Sequence, residues 1–253
     1  MSSKKSDFYI ENGVLKRYTG DSTPATVPDG VTVIDSYAFK EHEYIKKITL
    51  PEGVEKIGFS AFYKCESLEE LNLPSSLKMI EALAFSECNA LKTWVTIPDE
   101  MTRIEAGTFD ECYHLPGVTI PETVTEIGEY AFFLCHGMRE IKLPKSLKVL
   151  DKSALAATGL IEVTIPRGVT EISNNLLENS SDLTTVNLHR GITKIGDSAF
   201  KECAKLKVIR FEGSEDEWNA IPKGILWDQN YGFNKGFYPL DFKVEFNCKF
   251  PED

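Results

Sequence analysis

The chain has 253 residues, of which 42% are hydrophobic and 26% are charged, a balance typical of a folded protein. Its formal net charge of -11 argues against nucleic acid or an anionic membrane as a partner, because both are bound by clustered Lys and Arg. No apolar run approaches the roughly 18 residues of a membrane-spanning helix, so we expect no membrane insertion.

The chain start, residues 1–7, reads as a short polar tail. Its two lysines are not followed by an apolar stretch, so the segment does not have the pattern of a secretory signal. We therefore expect a protein that stays inside the cell, unless a signal preceded this chain.

From residue 28 onward the sequence repeats itself. A proline follows a strand-like segment at intervals of 22 to 24 residues. These prolines are Pro28, Pro51, Pro74, Pro98, Pro121, Pro144 and Pro166, and His189 takes the next place. Each is followed by Gly-Val-x-x-Ile-Gly or a variant, and then by Ala-Phe-x-x-Cys-x-x-Leu, as in residues 61–68. A repeat of this period predicts a solenoid of stacked coils.

Stacking explains why the same residue types recur. One coil cannot bury its apolar side alone, whereas stacked coils give each side chain a like neighbour at a spacing of about 4.8 Å. We expect Leu71 and Leu73 to point inward, Asn72 to point outward, and Leu71, Val95 and Val118 to form one buried row. The glycine of each Ile-Gly pair is expected to adopt a positive φ, and the Ala-Phe-x-x-Cys segment a short helical or 3₁₀ turn.

Over roughly residues 8–245 the pattern resembles that of the BspA-type leucine-rich repeats. The resemblance implies a right-handed, β-rich solenoid of about eight coils over residues 28–211. It also implies an N-terminal tail and capping hairpin over residues 1–27 and a C-terminal cap over residues 212–253. Adhesion to host proteins and contact at the cell surface are roles that the resemblance suggests.

Two places depart from the repeat. The coil from Ala154 is one residue short and lacks Phe and Cys, and the next coil has Leu177 and Ser180 in their place. We therefore expect residues 151–185 to be less well packed or locally bent. An extra residue in the strand at residues 93–95 predicts a β-bulge.

The C-terminal residues 212–253 contain no clear repeat but many aromatic residues. These are Trp218, Trp227, Tyr231, Phe233, Phe237, Tyr238, Phe242, Phe246 and Phe250. Because an open solenoid end exposes its core, we interpret the segment as a cap that seals the last coil. The alternative is a docking platform for a partner or a glycan, formed by Trp218, Trp227 and Tyr231.

The cysteines fall mostly in one column of the repeat. Its members are Cys65, Cys88, Cys112, Cys135 and Cys203. We expect them to be buried, packed as small polarizable side chains and unpaired, because parallel side chains in a ladder have poor geometry for a disulfide.

A zinc site or a Cys–His nucleophile pair is the alternative for Cys112, His114, Cys135 and His136, which recur one coil apart. The histidines are expected to point away from the core, and burial keeps a thiol inert. Catalytic fingerprints are absent from the sequence. We therefore expect no metal, no cofactor and no enzymatic activity.

The solvent side of the strand column forms a strip of the kind that repeat proteins use to bind partners. Its residues are Lys47, Thr49, Glu70, Asn72, Trp94, Thr96, Thr119, Glu140, Lys142, Glu162, Thr164, Asn187 and Arg210. Trp94 is the best anchor, because an exposed Trp on a rigid strand is a residue type that carries binding energy. The alternatives are that Trp94 tucks into the neighbouring coil and that the strip is a Thr/Asn ladder which only favours strand pairing.

Together these patterns predict a monomeric, non-catalytic scaffold for a protein partner. The alternatives are a carbohydrate-binding module that uses the C-terminal aromatic residues and a passive structural spacer. An enzyme would require a pocket with convergent polar groups, which the sequence does not indicate.

Overall fold

A computed structural model of the chain shows a solenoid of stacked coils and describes residues 7–21, 23–232 and 236–251. Strands of successive coils pair in parallel at the register of the repeat, so that Ile57 lies opposite Ile80 and Val186 opposite Ile209. The predicted leucine-rich-repeat solenoid is confirmed.

One column of short strands precedes the proline positions. Its members are β3 (Ala25–Thr26), β5 (Lys47–Thr49), β7 (Glu70–Leu71), β9 (Val95–Thr96), β11 (Val118–Thr119), β14 (Glu162–Thr164), β16 (Thr185–Leu188), β18 (Val208–Phe211) and β21 (Lys243–Glu245). They form the sheets β3-β5-β7, β9-β11 and β14-β16-β18-β21. The column is therefore interrupted between β7 and β9 and between β11 and β14.

A second column follows the proline positions. Its members are β4 (Val33–Ile34), β6 (Lys56–Ile57), β8 (Met79–Ile80), β10 (Arg103–Ile104), β12 (Glu126–Ile127), β13 (Val149–Leu150), β15 (Glu171–Ile172) and β17 (Lys194–Ile195). An antiparallel hairpin of β1 (Phe8–Glu11) and β2 (Val14–Tyr18) extends this column, because β2 pairs in parallel with β4. The hairpin thus covers the edge of the first coil, as a cap must.

The third side of each coil contains the Ala-Phe-x-x-Cys segment. It forms a run of hydrogen-bonded turns in place of the expected helical or 3₁₀ turn. Within a coil the Ala61 N–H donates to the Gly58 carbonyl (3.2 Å), and between coils the Phe62 N–H donates to the Ala84 carbonyl (2.8 Å). Two residues four positions apart, such as Ser60 (φ 51°) and Lys64 (φ 59°), adopt the left-handed conformation in this segment. The backbone can then form hydrogen bonds both within its own turn and with the next coil.

The expectation of a positive φ at the glycine of each Ile-Gly pair is wrong. Gly58, Gly128 and Gly196 have no positive φ, and the left-handed residue comes two positions later, at Ser60 in the second coil. A Cβ atom on Gly58 would lie 2.5 Å from the Ser36 backbone nitrogen. Glycine is required at this position because the backbone of the preceding coil approaches too closely for any side chain.

The core is one continuous set of buried rows. Leu71, Val95 and Val118 are each at most 2% exposed, which confirms the expected row, whereas Leu73 is only half-buried. A second row consists of phenylalanine rings stacked from coil to coil, with centroids 4.9 to 5.8 Å apart. These rings belong to Phe39, Phe62, Phe85, Phe109 and Phe132.

Residues 151–185 are well packed, so the expectation of poorer packing there is wrong. Leu155 and Leu177 occupy the place of the phenylalanines and are fully buried. Gly159 lies close to the preceding coil, since a Cβ atom there would stand 2.2 Å from the His136 carbonyl oxygen. The phenylalanine row resumes at Phe200.

The C-terminal segment contains helix α1 (Glu215–Ala220), the antiparallel hairpin of β19 (Gln229–Gly232) and β20 (Gly236–Pro239), and then β21, which pairs with β18. Ser214 caps α1 through a capping box with Glu217. No helix in the described ranges is long and apolar enough to cross a membrane.

Candidate binding surface

The solvent side of the strand column, which we call the strand face, presents most of the predicted strip. The exposed members are Lys47, Thr49, Asn72, Trp94, Thr96, Thr119, Glu140, Lys142, Glu162 and Arg210. Glu70 and Thr164 are half-buried. The structure therefore brings these side chains onto one surface, and Asn187 is the exception.

Asn187 is 1% exposed, so its inclusion among the accessible strip residues is corrected. Its Nδ2 donates to Glu162 Oε1 (2.7 Å) and to Thr164 Oγ1 (3.0 Å). Arg210 and Glu162 lie two coils apart, and their ion pair (3.6 Å) passes over the coil of Asn187. The donor groups at this end of the strand face are therefore engaged with Glu162 and Thr164, whereas the buried Asn187 Oδ1 has no partner among the described residues.

Trp94 is tucked against the neighbouring coil and still 44% exposed. Its ring lies against Gly117, where a Cβ atom would stand 2.4 Å from Trp94 Cζ3. Its Nε1 donates to Thr119 Oγ1 (2.8 Å). These two contacts fix the ring, so the aromatic surface that remains open is presented in one orientation.

The predicted bulge at residues 93–95 coincides with the first interruption of the strand column. There the Leu71 N–H donates to the Thr93 hydroxyl (3.2 Å), a side-chain group where a regular ladder would use a backbone carbonyl. Trp94 lies outside the ladder, because β9 begins only at Val95, and its large side chain remains on the surface.

The second interruption lies at residues 140–143, which form no strand. Within the described chain, no backbone hydrogen bond is made by the N–H groups of these residues. Two adjoining cavities of about 380 and 400 Å³ open on either side of this segment, and we call them together the central groove. The first is lined by Trp94, Val118, Thr119, Ile120, Glu140, Ile141 and Lys142, and the second by Ile141, Lys142, Leu143, Lys145, Glu162, Thr164 and Pro251.

Charges on the strand face differ in whether they are paired. Lys47 pairs with Glu70 (2.5 Å) near the N-terminal end. Glu140 and Lys142, which flank Ile141 in the central groove, make no ion pair or side-chain hydrogen bond within residues 7–21, 23–232 and 236–251. Two free charges beside a fixed aromatic ring are an arrangement suited to binding a polar ligand group.

An acidic rim borders the strand face, and the sequence reasoning missed it. The rim is defined by the exposed residues Asp29, Glu52, Asp99, Glu100 and Glu122, which follow the proline positions of the first coils. A third cavity of about 410 Å³, lined in part by Glu52, Thr96, Asp99 and Glu100, joins the rim to the strand face. The signal was available in the residues after the prolines, which are acidic at Asp29, Glu52, Asp99 and Glu122 and basic at Lys145 and Arg167.

The prediction that Trp218 belongs to an exposed aromatic platform is wrong. This side chain is 6% exposed and packs against Phe211 (ring centroids 5.5 Å apart), so it seals the last coil. The Lys223 ammonium lies 4.6 Å from the Trp218 ring centroid, and its burial holds the pKa of that lysine below its usual value. Trp227 is half-buried, with Phe242 at 5.9 Å.

Tyr231 remains exposed on β19. It is 53% exposed, and its ring contacts that of Phe237 on β20, which is 51% exposed (centroids 5.5 Å apart). Phe233 lies outside the described residues. Of the three aromatic residues of the predicted platform, Tyr231 is therefore the exposed one.

The cysteine column is buried and unpaired. Each thiol donates to a backbone carbonyl of the preceding coil, as Cys65 Sγ does to Phe39 (3.1 Å). The Ser180 hydroxyl makes the equivalent contact to Leu155 (3.2 Å). This position of the repeat therefore favours a small side chain that donates a hydrogen bond. The Cys, Ser and Thr residues found there in different coils could have indicated this role.

Burial disfavours the nucleophilic thiolate form of these cysteines. Burial raises the pKa of Cys65 to about 12 and the pKa of Cys112 and Cys135 above the usual thiol range. His114 and His136 are exposed whereas Cys112 and Cys135 are buried, so the four side chains do not converge. Among the residues that the structure describes, no group of three His, Cys, Asp or Glu could hold a metal ion.

The parallel coils, the leucine-rich core and the open strand face define a repeat protein of the leucine-rich class. The family model described as the BspA type leucine-rich repeat region, in 6 copies, matches residues 10–116 and 102–219. The chain belongs to this family. Comparison with curated proteins gives no significant match.

Several solved structures are similar to the chain. A leucine-rich cell surface protein from Faecalibacterium prausnitzii is 21% identical, with 88% of this chain and 97% of that chain covered and a TM-score of 0.44. A leucine-rich repeat protein from Bacteroides ovatus is 22% identical, with 96% and 76% covered and a TM-score of 0.48. The T. pallidum leucine-rich repeat protein is 21% identical, with 83% and 77% covered and a TM-score of 0.40.

Proposed function

We propose that the chain is a non-catalytic scaffold that binds a protein partner through the strand face, with Trp94 as the central anchor. The observation that carries the proposal is the fixed, 44% exposed Trp94 ring at the edge of the central groove, beside Glu140 and Lys142. A rigid aromatic anchor that loses little conformational freedom on binding is the typical centre of an energetic hot spot.

The non-catalytic part of the proposal is supported by the state of the candidate nucleophiles. The thiols of the cysteine column are buried and held in hydrogen bonds to the backbone, and their pKa values are raised. Contact with a host protein or a cell surface is the finer form of the proposal, and membership in the BspA-type family is what suggests it.

The test is affinity capture with the immobilised protein from cell-surface extracts, followed by quantitative mass spectrometry. Wild type is compared with Trp94→Ala and with Tyr44→Ala, a matched aromatic control that is 76% exposed away from the groove. We expect a protein that is retained by wild type and by Tyr44→Ala and lost by Trp94→Ala. Equal retention by all three would exclude the strand face, and no specific retention would favour the passive spacer.

Carbohydrate binding is the second candidate function. Because Trp218 is buried, the aromatic residues available for it are the exposed pair Tyr231 and Phe237. Exposed aromatic rings on a hairpin offer a surface for stacking. Screening wild type and Tyr231→Ala on a glycan array tests this candidate. Binding that disappears in the variant would support it, and binding to no glycan would remove it.

A further inference from the structure

We infer that the strand face takes an extended basic segment of its partner, with an Arg or Lys side chain stacked on Trp94 and paired with Glu140. The inference rests on the proposed function, because it names the chemistry of the partner at the same surface. It is carried by the free groups of the central groove and by the sign of the charges along the adjoining rim.

The open surface of Trp94 can offer only its π face. Its Nε1 hydrogen is already donated to Thr119 Oγ1 (2.8 Å), and part of the ring is covered by Gly117. A π face attracts a cation within about 6 Å of the ring centroid, and Trp does so most strongly. Glu140 lines the same cavity without an ion pair in the described chain, so it can accept hydrogen bonds from that cation.

The rim next to the groove is negative because none of its carboxylates forms an ion pair with a described residue. Asp99 and Glu100 make no ion pair with any residue that the structure describes, and Glu52 is bonded only to the Ser75 backbone and hydroxyl (3.3 and 3.0 Å). The net charge of -11 acts in the same direction. An electrostatically complementary partner is therefore basic.

Three basic residues occupy the equivalent rim positions of the later coils, and one of them, Lys145, lines the second cavity of the central groove. Arg167 is held by Glu212 (2.9 Å), and Arg190 by Glu217 (3.3 Å), so the C-terminal segment neutralises both. Lys142 in the central groove is the remaining cation beside Trp94. In the bound state it donates to a backbone carbonyl or a carboxylate of the segment, which gives the segment a fixed direction.

The spacing of the two anionic sites sets the spacing of the cations. From Trp94 the chain runs five residues to Asp99, so the two sites are at most roughly 16 Å apart at the rise of an extended strand. An extended partner segment covers that distance in about five residues. The segment therefore carries one cation over Trp94 and a second about five residues away, at the cavity beside Asp99 and Glu100.

Fluorescence anisotropy with three labelled Gly-Ser peptides of about nine residues tests the inference. The peptides carry Arg, Gln or Glu at two positions about five residues apart. We expect the Arg peptide alone to bind, with an affinity that falls as salt is raised. We expect Trp94→Ala to weaken its binding about tenfold and Glu140→Gln about fivefold.

Glu66→Gln is the matched control, because Glu66 is an exposed carboxylate in a turn between Cys65 and Leu68, outside the strand face and the rim. It removes the same charge as Glu140→Gln, so we expect unchanged binding. Glu140→Gln replaces an exposed side chain with one of nearly the same shape, so we expect this variant to fold. It therefore tests the inference even if Trp94→Ala does not fold.

Equal binding of the Arg and Gln peptides, or equal effects of Glu140→Gln and Glu66→Gln, would overturn the inference. The proposed function would then still stand if capture of a protein partner depends on Trp94. If the capture also proved independent of Trp94, both the proposed function and the inference would fail. Binding of the Glu peptide in preference to the Arg peptide would show a partner of the opposite charge.

Discussion

Between β7 and β14 the strand face is interrupted twice, whereas from β14 to β21 its strands pair without a break. In the continuous part Asn187 is buried and bonded to Glu162 and Thr164, and Arg210 is paired with Glu162. In the interrupted part the ring of Trp94 and the charges of Glu140 and Lys142 stay open to solvent. The regular ladder therefore engages most of its own polar groups, and the irregular one leaves more of them for a partner.

The first prediction tests whether the interruption of the strand face is confined to the surface or also affects the core. Phe85 and Phe200 are both fully buried, one beneath the interrupted part and the other beneath the continuous part. We expect Phe85→Ala and Phe200→Ala each to lower the free energy of unfolding by about 3–5 kcal/mol, because each leaves a cavity. Urea denaturation measures both. A much smaller loss for Phe85→Ala would mean that the interruption reaches into the core.

The second prediction compares two asparagines in the same column. Asn187→Ala removes a buried donor and leaves Glu162 and Thr164 without it, so we expect the free energy of unfolding to fall by about 1–3 kcal/mol. Asn72 is exposed, and we expect no measurable change for Asn72→Ala. Thermal and urea denaturation measure both variants. An equal loss of unfolding free energy in Asn187→Ala and Asn72→Ala would contradict the contrast between the continuous and the interrupted part.

The third prediction concerns the support of Trp94. Gly117→Ala places a methyl group where the ring lies, at 2.4 Å from Cζ3, so the ring must move. We expect partner binding to weaken by about 1 kcal/mol, because the open face is no longer presented in one orientation. Isothermal titration calorimetry with the captured partner or the Arg peptide measures the change, with Glu66→Gln as the control outside the strand face. Unchanged affinity would show that the ring need not be fixed.

The fourth prediction contrasts two carboxyl groups by pH. Burial and the nearby Glu111 raise the pKa of Asp110 to about 6, whereas Lys205 and Arg139 lower the pKa of Asp182. The folded state therefore binds the Asp110 proton more tightly than the unfolded state, and stability falls as pH rises from about 4 to 6.

We accordingly expect Asp110→Asn to stabilise the protein at pH 7 by about 1 kcal/mol, with no gain below about pH 4. For Asp182→Asn we expect the reverse sign, a small loss at pH 7 that disappears as pH falls through the acidic range. Urea denaturation across this pH range measures both variants. A stabilisation by Asp110→Asn that persists at low pH would show that the charge is not the cause.

The sequence predicted the coils, the buried rows and the place of Trp94, because each depends on side-chain periodicity. It could not predict the role of Gly58, since a glycine required by close backbone contact looks the same in sequence as one with positive φ. The interruption at residues 140–143 was equally hidden, because Ile141 and Leu143 alternate with polar residues like any regular strand.

The sequence predicted most residues of the strand face, but it wrongly predicted that Asn187 and Trp218 are accessible. Asn187 is buried because the ion pair that covers it joins residues two coils apart, a distance that a single repeat does not reveal. Trp218 is buried because the last coil offers it an apolar surface beside Phe211. The acidic rim required the stacking order of the coils before its charges could be recognised as neighbours.

Hydrogen exchange measured with and without the Arg peptide, or with the captured partner, tests the central claim most directly. In the free protein we expect fast exchange of the amides of residues 140–143, which have no backbone partner in the described chain, and slow exchange in β16. On binding we expect protection at residues 93–97 and 140–143 and no change in β16. Protection confined to the C-terminal hairpin, residues 229–239, would contradict the account.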